Sequence, residues 1–309
     1  MATSALAVMT KPMGEEPYRM MYLNAWETVP PKLVTKELGI LLLEVLTLLH
    51  SIRSKRLGFW VGFTLFGLVL EIIGYVNATH FHAQFLVQFI MFLPLKELLV
   101  YPLLMYPSWI AVEKLGLPEI WQCAAVMGIV LHFGNMPYDG FCARPGFGWS
   151  IMDASFEFAN FDPSQWHGGI AAVYYGWLTF NIASGSACAY ARNRALSGAS
   201  TALVVGASSL LSCALWGPYH CMKLISCSNL WSKPFPSGSS TLWYVQCVRN
   251  AALTDGWCWV LTLGAVLCAA CLALRYTGGR TQETSFMSDW PVLLIVCLYF
   301  SWIVVLYAI

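Results

Sequence analysis

Leu70-Glu71-Ile72-Ile73-Gly74-Tyr75-Val76-Asn77-Ala78-Thr79-His80-Phe81-His82 begins inside an apolar run and leaves it through a glycine, an asparagine and two histidines. Glu71 puts a carboxylate where hydrocarbon is the expected surrounding. An ionisable group in a membrane span costs about 2.5–3.5 kcal/mol on insertion scales, so it marks a functional site by default. The reading of the whole chain follows from how far such apolar runs extend on either side.

They extend over most of it. Of the 309 residues, 58% are hydrophobic and 11% charged, against about 25% charged in an ordinary soluble domain. Mean hydropathy is +0.62. A chain so poor in charge has little with which to face water, and eight apolar runs approach the roughly 20 residues that cross a bilayer. They lie at about 33–52, 57–76, 97–112, 120–134, 169–190, 200–221, 257–274 and 290–309. The third contains Pro102 and Pro107 and is the one that leaves the count at seven or eight.

Residues 81–93 are apolar but too short to span, and Pro94 ends them, which predicts a re-entrant segment. The expected fold is therefore all-α: a polytopic transmembrane helix bundle of seven or eight spans with that re-entrant piece. Residues 1–31 form a non-membrane N-terminal segment without the layout of a cleavable signal. Residues 32–309 form one transmembrane domain with long loops at 135–167 and 222–254.

Lys and Arg set the expected orientation. If all runs cross, Arg53, Lys55, Arg56, Lys114, Arg192, Arg194, Arg275 and Arg280 share the cytoplasmic side. The long loops then face the lumen or the exterior of an endomembrane or plasma membrane. The expected partners are the lipid bilayer and an apolar, lipid-like ligand. A net charge of +1, with no basic stripe, excludes a nucleic-acid partner. Most of the eleven cysteines lie in apolar runs and read as packing residues. Cys268-x2-Cys271 lacks the second pair of a zinc site. On the outer side Cys227–Cys247 is a candidate disulfide, with Cys142 and Cys221 as rival partners.

This topology gathers Glu71, His80, His82, His132 and Asp139 at one membrane face, with His167 and His220 nearby. Burial raises a carboxyl's pKa by disfavouring the charge. Glu71 would then donate a proton, with Asp139 as its partner and His132 polarising the substrate. Tyr75, Tyr106 and Trp149 are the candidate substrate-binding aromatics. His80 and His82 are candidate ligands for a divalent metal, although no His-box accompanies them. Two other readings stay open. Glu37, Glu44 and Glu71 could line the path of a transporter or channel, or the chain could be structural and hold no site.

Glu71-Ile72-Ile73-Gly74, Tyr106-Pro107-Ser108-Trp109, Asp139 and Gly146-Phe147-Gly148-Trp149 fall in an order that resembles the integral-membrane carotenoid 1',2'-hydratase family. The likeness covers roughly residues 60 to 155. It departs from the family pattern at Gly140, where a proline is usual, and at Asn77 to His82, where a Pro-Phe-Gly-x-Tyr element is missing. It implies water addition to an isoprenoid double bond, a proton-donating carboxyl matched by Glu71 or Asp139, and no required cofactor. The chain also resembles uncharacterised eukaryotic multi-pass membrane proteins, which implies no activity.

Overall fold

A computed structural model describes residues 22–23, 29, 31–76, 81–82, 85–90, 93–142, 149–150, 166–226, 252–276 and 290–308. Eight helices account for nearly all of these: α1 (Pro31–Arg53), α2 (Leu57–Val76), α3 (Leu95–Lys114), α4 (Ile120–Cys142), α5 (Trp166–Asn193), α6 (Gly198–Ser226), α7 (Ala252–Tyr276) and α8 (Trp290–Ala308). The all-α expectation holds, with one helix for each apolar run. Pro31 opens α1 at the first helical position, where the missing N–H costs nothing. Pro102 and Pro107 lie inside α3, each removing one donor from the ladder.

The spans do not survive with the helices. Among the described residues, no helix is long and apolar enough to cross a membrane. The multi-pass, endomembrane or plasma-membrane assignment is overturned, and with it the lumenal or exoplasmic placing of the long loops. Mean hydropathy averages around each helix, and in α1 and α3 charges interrupt the run from the inside. Buried α1 residues include Lys36, Glu37 and Glu44, and buried α3 residues include Lys96 and Glu97. The opposite face of α1 presents Leu38, Leu42, Val45, Leu49 and Ile52, while Leu33, Val34, Ile40 and Leu43 are buried alongside the charges.

Two other expectations change. Where the sequence predicts a re-entrant segment, residues 81–94 hold short strands: β2 (Phe81–His82), β3 (Val87–Ile90) and β4 (Leu93–Pro94). The segment β1 (Tyr22–Leu23) pairs antiparallel with β3, which pairs with β4, and β2 pairs with β5 (Trp149–Ser150). The segment is too short and too rich in β-branched and aromatic residues to favour a helix. The long loop also starts later than Asn135, because α4 continues through Pro137 to Cys142. Cys227, Cys247 and most of 222–254 lie outside the described residues. Cys142 is a buried free thiol, as are Cys123 and Cys188, whereas Cys268, Cys271 and Cys297 are exposed and do not pack inward.

The core runs through α1 to α4 and draws in α5 to α8. Trp109, Tyr106, Tyr138, Phe63 and Phe66 are its largest fully buried aromatic side chains, with Met105 and Ile110 in the same cluster. α2 packs on α6, α4 on α5, and α3 between α1 and α2. This arrangement brings the inner faces of α1, α2, α3 and α4 together.

Candidate functional site

Charged side chains fill the space where those four faces meet. Lys36-Glu37 on α1 and Lys96-Glu97 on α3 are the same dipeptide in two helices, and all four residues are 0–1% exposed. Lys96 pairs with Glu97, and Lys36 Nζ lies 3.7 Å from the same carboxylate. Lys36 also donates to Cys142 Sγ at 2.9 Å, and Tyr138 Oη donates to Glu97 Oε2 at 3.2 Å. The Phe85 ring lies 4.0 Å from Lys96 Nζ, a cation–π distance. Glu37 points the other way and accepts the backbone N–H groups of Leu86 at 2.6 Å and Val87 at 2.8 Å. It thereby fixes the loop that enters β3.

Burial sets the protonation of this centre. It pushes the Lys96 ammonium well below its ordinary range, and neighbouring Lys36 acts in the same direction. It raises the Glu37 carboxyl, against the pull of the two N–H bonds and Lys96. It also raises the Tyr138 phenol, with Cys142, Tyr299 and Asp139 adding to the effect. Desolvation is the leading cause in each case, as it must be where no water compensates a charge.

Glu71 and Asp139 flank one residue, Tyr101. Tyr101 Oη donates to Glu71 Oε1 at 2.8 Å. Its phenol is held high by burial, then by Glu71, with a smaller contribution from Asp139. Asp139 is 1% exposed and accepts Asn135 Nδ2–H at Oδ2, 2.6 Å away. Its Oδ1 has no hydrogen-bond partner among the described residues. Burial raises the Asp139 carboxyl well above its ordinary value, with Lys36 opposing. His132 sits on the α4 stripe that carries Asn135 and Asp139, at i, i+3 and i+7. Burial lowers its pKa to about 4, so the ring is neutral near pH 7.

The remaining candidates lie apart or cannot be placed. Tyr106 is fully buried and bonds to His50 Nδ1 at 2.8 Å and Ser54 Oγ at 3.1 Å, at the corner between α1 and α2. Glu44 accepts from Thr47 at 2.6 Å and Trp60 at 2.9 Å, and burial lifts it to about 8. His82 pairs with Trp149 through β2 and β5. The side chains of Tyr75, His82 and Trp149, and all of His80, lie outside the described residues. Among the described residues no group of three or more His, Cys, Asp or Glu could hold a metal.

A cleft of about 360 Å³ opens between α3, α4 and α8. Leu103, Leu104, Ile110, Phe133, Val296 and Phe300 are among its walls. Tyr299 lines it and donates to Gly134 O at 3.1 Å. Gly134 precedes Asn135, the partner of Asp139, in α4.

A family described as a domain of unknown function (DUF7802) matches residues 22–145. That stretch holds Lys36, Glu37, Glu71, Lys96, Glu97, Tyr101, His132, Asp139 and Cys142, so the buried centre falls wholly within it. No curated protein matches the chain. No solved structure matches it either. The likeness to carotenoid hydratases has no counterpart among these matches.

Sequence reading missed Lys36, Lys96, Glu97, Tyr101 and Tyr138. A usable signal was present: two Lys-Glu dipeptides, each inside an apolar helix, are costly unless they meet each other.

Proposed function

We propose that this protein binds an apolar molecule of the lipid or isoprenoid class in the cleft between α3, α4 and α8. The observation that carries the reading is the cleft itself. Its volume falls within the range of small-molecule sites, and its walls are almost wholly apolar. A test is displacement of a fluorescent apolar probe from the purified protein by prenyl or acyl alcohols. Ala111→Trp, which fills the cleft, should abolish binding while the protein stays folded by circular dichroism. Binding that survives Ala111→Trp would sink the reading.

A second reading adds acid chemistry, and one observation favours it. Asn135 engages Asp139 Oδ2 as an acceptor, which leaves the proton of the neutral acid on Oδ1. That group, five residues on from Gly134 in α4, would protonate a double bond, with water completing the alcohol and returning a proton to the carboxylate. Mass analysis of bound isoprenoids for addition of one water tests it. Asp139→Asn should stop the addition and leave binding intact. Bound ligand recovered unchanged from the wild type would leave a binding protein and no enzyme.

A further inference from the structure

We propose that one end of the bundle, built from three short turns, docks on the surface of an anionic lipid bilayer without any helix crossing it. The turns join α1 to α2, α3 to α4 and α5 to α6. Tertiary contacts hold all three together. Arg56 pairs with Glu113 at 2.8 Å, which ties the first turn to the end of α3. Arg192 donates to Leu117 O at 2.6 Å and Asn193 Nδ2 to Pro118 O at 3.2 Å, which ties the second turn to the third. Gly58 abuts the main chain of Gly198, which ties the third back to the first.

The charge on this end is one-sided. Arg56 is matched by Glu113, and Arg192 turns to main chain. Arg53, Lys55 and Arg194 are exposed, and none of them has a carboxylate partner among the described residues. Arg194 lies 5.8 Å from the Tyr190 ring, a cation–π contact that leaves its charge in place. Glu119 is the one exposed acid on the three turns. Apolar side chains stand exposed among these cations: Leu57, Leu115 and Ile120 at the turns, with Trp121 and Tyr190 beside them. A soluble polyanion matches the charges and leaves those side chains in water. A headgroup layer takes both, with cations at the phosphates, apolar side chains just beneath, and Trp and Tyr rings at the boundary. The proposal does not rest on a ligand in the cleft.

Sedimentation of the full chain with vesicles tests it, using phosphatidylcholine alone and phosphatidylcholine mixed with phosphatidylserine. The mixed vesicles should bind the protein more tightly, and high salt should release it by screening. The triple variant Arg53→Gln, Lys55→Gln, Arg194→Gln changes only exposed side chains and should keep its circular dichroism. It should bind the mixed vesicles roughly a hundredfold more weakly, about fivefold for each charge. Leu115→Ser combined with Trp121→Ser should also weaken binding, and soluble polyglutamate at equal charge should not displace the vesicles. Equal binding to the two vesicle types, or a triple variant that binds like the wild type, overturns the proposal. Polyglutamate that competes at equal charge, or an apolar double variant that binds unchanged, also overturns it and assigns this end to an acidic protein.

Discussion

Tyr101 Oη donates to Glu71 Oε1 at 2.8 Å across the α2–α3 interface, with Asp139 near enough to act on the same phenol. Tyr101 and Glu71 are each 6% exposed, so water does not replace the bond when it is lost. Tyr101→Phe should cost about 1–3 kcal/mol, the range for a buried polar group deprived of a partner. Urea unfolding measures it. In a Glu71→Met background the same change should cost clearly less, because the hydroxyl then has no carboxylate to serve. Equal costs in the two backgrounds would show that the bond contributes nothing.

Glu44 makes stability depend on pH. Its carboxyl rises from 4.5 to about 8 on burial, although Thr47 and Trp60 both donate to it. A group that holds its proton more tightly when folded stabilises the protein fully below its unfolded pKa. That contribution is lost as pH climbs through the folded value. Between about pH 4.5 and 8, Glu44 should therefore remove a few kcal/mol of stability as pH rises, at about 1.4 kcal/mol per unit. Glu44→Gln keeps an acceptor for Thr47 and Trp60 and should flatten that part of the profile. Denaturation midpoints at pH 5.5 and 7.5 for the two proteins decide it.

His132 acts with the opposite sign. Its pKa falls from 6.5 to about 4 through desolvation, so the folded protein binds fewer protons than the unfolded chain. The stability it contributes is complete above about pH 6.5 and disappears as pH falls through 4. In an NMR titration the His132 ring should hold its neutral shifts from pH 7.5 down to about 5. A midpoint near 6.5 would mean the ring is hydrated.

The helices were legible because each apolar run is long and bounded by Pro, Gly or charge. What encloses them was not. The same hydropathy describes Leu42, exposed on α1, and Ile40, fully buried beside it, and only partner helices separate the two cases. The site was half legible for a related reason. Glu71 and Asp139 stand out as single acids in apolar surroundings. Lys36 and Lys96 do not stand out until α1 and α3 bring them to one carboxylate. The placement of Asn135 to Cys142 failed on local chemistry, since Pro137 and Gly140 read as turn residues and tertiary packing carries α4 through them.

Two turns close alike, and that gives the last prediction. After α1 the Arg56 N–H bonds to Ser51 O at 2.8 Å, and after α5 the Leu196 N–H bonds to Ala191 O at 3.0 Å. Each is the six-to-one bond of a Schellman closure. Lys55 (φ 58°) and Ala195 (φ 47°) occupy the left-handed position, where a Cβ crowds the backbone and glycine is preferred. Ala195→Gly should relieve that crowding. Its gain is partly offset by the greater freedom glycine has when unfolded, for a net stabilisation of about 0.5–1 kcal/mol. Gly58→Ala runs the other way, because its Cβ would sit 2.9 Å from Gly198 Cα. Main chain does not give way there as a flexible side chain would, so the change should cost at least 1–3 kcal/mol through overpacking. Thermal unfolding of both variants should therefore shift the midpoint upward for Ala195→Gly and downward for Gly58→Ala. A neutral Gly58→Ala would mean that α2 and α6 do not approach so closely.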